Sequence, residues 1–320
     1  MHQRLDNAPC HVPASGRATV DPVRAPFPWF GGKSRAASLI WERFGEVANY
    51  VELFAGSLAV LLGRPSAPGT ETVNDLDCNV ANFWRAIQAA PDEVARWADW
   101  PVNEADLHAR HRWLVSVLPA HRARMEHEPE YFDAKIAGWW VWGLCLWIGD
   151  GWCRSPSRKI PELGSGRGVH SATPVRDWFQ KIQARLRHVR VACGDWSRVL
   201  GDSVTWRHGL TGILLDPPYA DGDMEYAAGA DGVAVACAAW ARENGDNRQL
   251  RIALCGLEGE HDMPGWECVP WKARGGYGSQ RSDGSNDNRK RERIWFSPHC
   301  LRPDKGQIAL FGHSSDSDLP

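Results

Sequence analysis

A doubly wound α/β domain with a mostly parallel sheet is the fold class this sequence predicts, on three observations. Short apolar runs of β character alternate with helical patterns, one long helical stretch interrupts the alternation, and the most distinctive turn motifs stand directly after apolar runs.

Residues 1–25 are Pro-rich and aperiodic and read as a tail. The candidate strands follow as Tyr50 to Phe54, Thr70 to Asp75, Val189 to Cys193, Gly212 to Asp216, Leu250 to Cys255, Trp266 to Trp271 and Arg293 to Phe296. Ala81 to Ala89 is one of the intervening helical patterns. From roughly 91 to 188 the pattern is helical, and Val175, Trp178, Phe179, Ile182 and Leu186 share one face of its last helix at spacings of three and four. This predicts a helical insertion at 91–188 within a domain built from 26–90 and 189–300. Glycine and serine scattered through Gly275 to Ser285 suggest a mobile loop or long hairpin connection, and residues 301–320 read as a second tail.

Composition narrows the class. A hydrophobic share of 43% with 24% charged residues is that of an ordinary globular protein rather than a disordered or fibrous one. No stretch approaches the roughly eighteen uncharged apolar residues of a membrane span, and the N-terminus lacks the apolar core of a signal peptide. The chain is therefore read as cytoplasmic, with no membrane association. Nine cysteines with no C-x-x-C pair suggest neither a disulfide framework nor a zinc site, and they are read as reduced and mostly buried. The net charge of -2 hides two basic regions: Pro101 to Arg190 holds 14 Lys/Arg against 9 Asp/Glu, and Lys272 to Arg293 holds 7 against 3. Either could face phosphates, and either also reads as a solvated helix face or charged loop.

The sharpest chemistry lies in GILLDPPYADG, where an apolar run enters Asp216, Pro217, Pro218 and Tyr219. Two prolines fix the backbone and remove two N–H donors, so the turn can present carbonyl oxygens outward. Asp216 and the Pro217 carbonyl are then fixed acceptors. A nucleobase amino group that donates both hydrogens to them is drawn toward tetrahedral geometry, which frees its lone pair for attack. Tyr219 offers a stacking face to a base that has left the duplex. A bare D-P-P-Y also reads as a turn ending a buried strand, with Asp capping it and Tyr in the core.

At this motif the chain resembles the Dam-like, D12-class (alpha group) DNA adenine-N6 methyltransferases, whose catalytic motif is D-P-P-Y. PFPWFGGKSR resembles the family's N-terminal W-x-G-G-K motif, YVELFAGSLAV its cofactor strand, and VNDLDCNVANFWRAI its N-D-I-N-x-x-L segment. CGDW stands where the family has G-D-F, and NRKRERIWFSP resembles its closing strand. The resemblance covers most of residues 26–298, in the order that places the target-recognition insert before D-P-P-Y. It implies a Rossmann-like class I fold dependent on S-adenosylmethionine, with a helical target-recognition insert and double-stranded DNA as partner.

The cofactor positions also follow from chemistry. Glu52, Phe54, Gly56 and Ser57 end the first strand, where Gly permits a tight turn against a ligand. Leu58 stands where the family usually has Gly, so the turn is expected to differ in detail. Phe54 reads equally as core. Asp75 ends the second strand, the position from which an acid binds ribose hydroxyls, with Asp77 as competitor; either also suits an N-cap for the following helix. Asp195 resembles the family acid that meets the cofactor's adenine amino group, and a local turn role competes with it. Lys33, after two glycines, would put an ammonium near the cofactor carboxylate or a phosphate, with Trp29 packing on the cofactor. Asp216 borders the same pocket.

In the insert, GDGWCR resembles the family's N-G-L-W-R stretch, with Asp150 replacing Asn, so Arg154 becomes a candidate DNA contact alongside Arg158 and Lys159. The neighbouring Trp139, Trp140, Trp142, Trp147 and Trp152 read as core in preference to base-stacking platforms. Arg274, Tyr277, Gln280, Arg281, Arg289, Lys290 and Arg291 interleave with Gly and Asn in a composition suited to gripping a strand, or to a solvated loop. In the tail, Gln307, Leu310 and Phe311 resemble the Q-x-x-L-F peptide by which bacterial proteins dock on the polymerase sliding clamp, although packing on the chain's own body is the favoured alternative.

The expected activity is methyl transfer to adenine N6 in DNA by base flipping and direct in-line attack, without a metal. Cytosine N4, RNA adenine and protein glutamine are the rival acceptors; families acting on them tend toward Ser or Asn in place of Asp216. An inactive DNA-binding accessory protein is the rival from another class. A restriction-modification or phage DNA-modification setting fits the expected reaction.

Overall fold

The computed structural model describes residues 22–29, 32–66, 69–128, 130–147, 151–154, 159–162, 168–218, 232–271 and 291–303. Seven strands occupy the seven expected runs: β1 (Asn49–Glu52), β2 (Thr70–Asp75), β3 (Arg190–Cys193), β4 (Thr211–Leu215), β5 (Leu250–Leu257), β6 (Glu267–Pro270) and β7 (Glu292–Phe296). They form one sheet of order β3-β2-β1-β4-β5-β7-β6. β3, β2, β1, β4 and β5 run parallel, and β7 lies antiparallel to both β5 and β6.

The central strands bury every residue: all of β1 and all of β4 are enclosed. β4, covered on both faces, reads as a near-continuous apolar run rather than an alternating one. One face packs Val51, Leu53, Ile213, Leu215, Ile252 and Leu254 against Cys237, Ala238 and Ala241 of α8 (Val233–Asn244). The other face is covered by α1 (Ala36–Phe44), α2 (Ala59–Leu62), α3 (Cys78–Ala89) and helices of the 91–188 segment.

Among the described residues, that segment contains α4 (Pro91–Ala98), α5 (Glu104–His127), α6 (Ala134–Leu144), α7 (Val175–Leu186) and one 3-10 turn. α4 packs on both α6 and α7, and α3 touches all of α4 to α7. The buried side chains of α7 are Val175, Trp178, Phe179, Ile182 and Leu186, the face its spacing predicts. Trp140, Trp142, Trp147 and Trp152 are buried and Trp139 half-buried, as core tryptophans should be. Three of the tryptophans, Trp100, Trp139 and Trp142, surround the buried Arg110 guanidinium, which stacks closest on Trp142, 4.2 Å from its ring centroid.

A buried ion cluster ties α7 to the sheet. Glu71 on β2 accepts from Arg64 Nη1 at 3.0 Å and from Arg185 Nη1 and Nη2 at 2.6 and 2.8 Å. Arg64 also donates to the Val47 carbonyl and Arg185 to the Leu61 carbonyl, so much of the donor capacity of both guanidiniums is spent inside the protein. All eight described cysteines are free; six are buried, Cys193 is half-buried and Cys268 exposed. No helix among the described residues is long and apolar enough to cross a membrane.

The expected loop at Gly275 to Ser285 lies outside the described residues, as do Tyr219, Arg158, Arg274, Tyr277, Gln280, Arg281, Arg289, Lys290, Gln307, Leu310 and Phe311.

Candidate active site

Four neighbouring parallel strands, β3, β2, β1 and β4, end on the same edge of the sheet, and each is followed by one of the candidate segments. Ligands of open α/β sheets bind at this carboxyl edge, because the loops diverge there and leave a crevice.

The turn after β1 is fixed from several sides. Ala55 N–H donates to the Asn74 carbonyl at 2.8 Å, and the Gly56 carbonyl accepts from the Trp84 indole at 2.9 Å. Gly56 has φ +44, and an added Cβ there would collide with the Trp29 ring. This position needs glycine both for its backbone and for the close approach of the indole. Leu58 has φ 53 and ψ 28, so the left-handed conformation natural to Gly is retained with a leucine, whose side chain is completely buried. Ser57 is buried and Phe54 half-buried. Trp29 is half-buried, its ring 5.8 Å from Phe27 and 6.1 Å from Trp140, which joins the N-terminal motif to α6.

Glu52 lies beneath this turn at 4% exposure, where its carboxylate accepts from the Tyr50 hydroxyl at 2.9 Å and from Leu61 N–H at 3.3 Å. Burial pushes its carboxyl up to about 8, against the opposing pull of those two hydrogen bonds.

After β2, the roles of the two acids separate. Asp77 caps α3, accepting Asn79 N–H at 2.8 Å. Asp75 instead accepts Gly56 N–H and Asp77 N–H, each at 2.9 Å, and so links the β1 and β2 turns. Burial, reinforced by the Asp77 charge, raises its carboxyl to about 7. Between them Leu76 is 68% exposed, an apolar side chain held out beside the Asp75 carboxylate. Asp195 takes the local turn role, accepting both the backbone N–H and the hydroxyl of Ser197, while its own side chain is exposed. The next residue, Trp196, is half-buried with its ring 6.4 Å from Phe54.

Asp216 follows β4 directly, with Pro217 buried and Pro218 half-buried. Lys33 Nζ lies 2.8 Å from Asp216 Oδ1. Lys33 is 5% exposed and its ammonium sits 5.1 Å from the Trp271 ring centroid. The sequence directs this lysine at a cofactor carboxylate or phosphate; the structure pairs it with the aspartate of D-P-P.

The structure thus gathers Trp29, Lys33, Glu52, Phe54, Gly56, Ser57, Asp75, Asp195 and Asp216 along one edge. It adds residues that sequence reasoning missed. Asn74 Nδ2 donates to the carbonyls of Leu53 and Gly194, bridging the ends of β1 and β3. Trp84, Leu76 and Trp196 also belong here; an exposed leucine between two acids, and a tryptophan directly after Asp195, were the available signals. Arg154 is exposed, and Lys159 is half-buried with Nζ 5.5 Å from the Trp147 ring, both on the insert. Among the described residues, no group of three or more His, Cys, Asp or Glu side chains is placed to hold a metal ion.

A seven-stranded mixed sheet of this order, with an antiparallel β7 beside β5 and acids at the carboxyl ends of β2 and β4, defines the class I methyltransferase architecture. Residues 29–110, about a quarter of the chain, match the model of the D12 class N6 adenine-specific DNA methyltransferase. No curated protein matches the chain. The matched stretch contains Trp29, Lys33, Glu52, Phe54, Gly56, Ser57 and Asp75 and ends before Asp195 and Asp216.

Proposed function

We propose that this protein transfers a methyl group from S-adenosylmethionine to the N6 amino group of adenine in double-stranded DNA. The observation that carries the reading is the Lys33 to Asp216 ion pair. It brings the D-P-P turn, outside the family match, against the motif inside it.

The residues fit an adenosine-bearing cofactor. Asp75 is an acceptor suited to ribose hydroxyls, and Leu76 and Trp196 offer apolar surface beside the acids Asp75 and Asp195. Bound there, the cofactor supplies an electrophilic methyl on a sulfonium. Lys33 fixes the orientation of the Asp216 carboxylate. Asp216 and the Pro217 carbonyl accept the two N6 hydrogens of a flipped adenine, and Tyr219 stacks on the base. Their contribution is positioning and a polar setting arranged in advance, in a direct transfer with no covalent enzyme intermediate. Asp at position 216 favours adenine over the other amino acceptors.

In this reading 26–90 and 189–300 form the catalytic domain, and 91–188 is the DNA target-recognition insert, carrying Arg154, Arg158 and Lys159. Arg274, Tyr277, Arg281 and Arg289 would hold the strand from the late loop. Residues 1–25 and 301–320 lie outside both, the latter offering Gln307, Leu310 and Phe311 to a sliding clamp. The test is incubation of the protein and labelled cofactor with DNA of mixed sequence, followed by mapping of the modified bases. Label in N6-methyladenine is expected; label on cytosine, or only on RNA or protein, overturns the reading.

A further inference from the structure

The described structure holds two thiols in contact. Cys78 Sγ and Cys193 Sγ are 3.8 Å apart, although the residues are 115 positions apart in sequence. Each stands beside one of the acid-bearing turns. Cys78 opens α3, three residues after Asp75, and Cys193 ends β3, two residues before Asp195. Cys193 is also the register partner of Asp75 in the parallel ladder, and Gly194 N–H donates to the Asp75 carbonyl.

We propose that Cys78 and Cys193 form a redox-sensitive dithiol whose oxidation to an intramolecular disulfide closes the cofactor pocket between Asp75 and Asp195. This regulatory role rests on the methyltransferase reading; formation of the disulfide does not.

Closing a van der Waals contact to a disulfide bond of about 2.05 Å requires rotation of both side chains and a small approach of the α3 N-terminus to β3. Residues 75–78 move with it, and they carry the Asp75 carboxylate that holds Gly56 N–H and Asp77 N–H. Cys78 is the first residue of α3, where the helix N-terminus favours a thiolate, and the hydrogen bond from Cys193, helped by the Arg122 charge, brings its thiol down to about 7 against the effects of burial and Asp77. Cys78 is buried and Cys193 half-buried, so an oxidant small enough to enter past Cys193 is required. A peroxide meets that condition. The Cys78 thiolate attacks one peroxide oxygen, the O–O bond breaks, and one water leaves as Cys78 becomes a sulfenic acid. The Cys193 sulfur then attacks the Cys78 sulfur and displaces a second water. Two thiols lose two electrons and two protons to one peroxide.

The test uses the full chain, reduced and then treated with hydrogen peroxide. Mass spectrometry of non-reduced peptides is expected to show a Cys78–Cys193 cross-link. S-adenosylmethionine affinity measured by calorimetry should fall by about tenfold or more and return on treatment with dithiothreitol. Cys78→Ser and Cys193→Ser should each bind cofactor normally when reduced and keep that affinity after peroxide. Two free thiols at these positions after peroxide, or a cross-linked protein with unchanged affinity, overturns the proposal. A cross-link in a protein that binds no cofactor even when reduced overturns the methyltransferase reading and the regulatory half with it.

Discussion

Lys33 Nζ lies 2.8 Å from Asp216 Oδ1 and both side chains are largely enclosed, so a residue before the first helix and a residue after the fourth strand form one charged unit. Neither can be changed without altering what the other faces. Asp216→Asn is expected to lower methylation by about 10²-fold or more while leaving cofactor binding within a few-fold. Lys33→Met should reduce activity as well, and the double variant should lose far less than the sum of the two single losses. Single-turnover rates of the four proteins check this; additive losses would mean that the pair does not act together.

Two raised carboxyls give the candidate site a pH dependence. Glu52 stands at about 8 and Asp75 at about 7, both above the range of an unfolded chain, so the folded protein retains protons that the unfolded chain releases near pH 4 to 5. Stability of the ligand-free protein therefore falls as pH rises from about 5 to 8. In the proposed reading, ribose hydroxyls that donate to Asp75 favour its ionised form, so cofactor affinity is expected to rise over the same window and binding to release protons. Calorimetry in buffers of different ionisation enthalpy, between pH 6 and 8, measures the protons released; an affinity independent of pH would contradict it.

The Arg64–Glu71–Arg185 cluster predicts a large stability effect. Glu71→Gln leaves two buried guanidiniums short of their counter-ion and should cost about 3 to 5 kcal/mol. Urea denaturation monitored by circular dichroism reads this directly. A cost below about 1 kcal/mol would show that the arginines find other partners.

At the β1 turn, Gly56→Ala introduces a methyl into the Trp29 ring at a positive φ. The indole has to move, and cofactor binding should weaken by about tenfold or more, since a small displacement in a positioned site carries a large effect. Trp29 fluorescence is one of many tryptophan signals, so cofactor titration is the better measurement.

Leu58→Gly sets two opposing terms against each other. Release of the left-handed strain is worth about 1 to 2 kcal/mol. Loss of a fully buried leucine costs about 2 to 5 kcal/mol. The variant should be less stable than the parent, even though Gly is the residue its backbone conformation favours; a higher melting temperature would reverse this ranking.

The sequence by itself determined the seven strands through short runs of β character: β4 is buried on both faces and reads as an apolar run, while β1 encloses Asn49 and Glu52 as well. It also determined the buried face of α7, because helical spacing repeats within a few residues, and the placement of Asp216 directly after a strand. Only the tertiary structure decided which of two neighbouring acids caps α3, because both have the chemistry and the outcome depends on how Asp75 meets Gly56 from another strand. It decided that Lys33 faces Asp216, that Leu76 and Trp196 stand beside the acids, and that Cys78 meets Cys193. These relationships join residues far apart in the chain, and local pattern carries no information about which distant side chain fills the space a strand end leaves open.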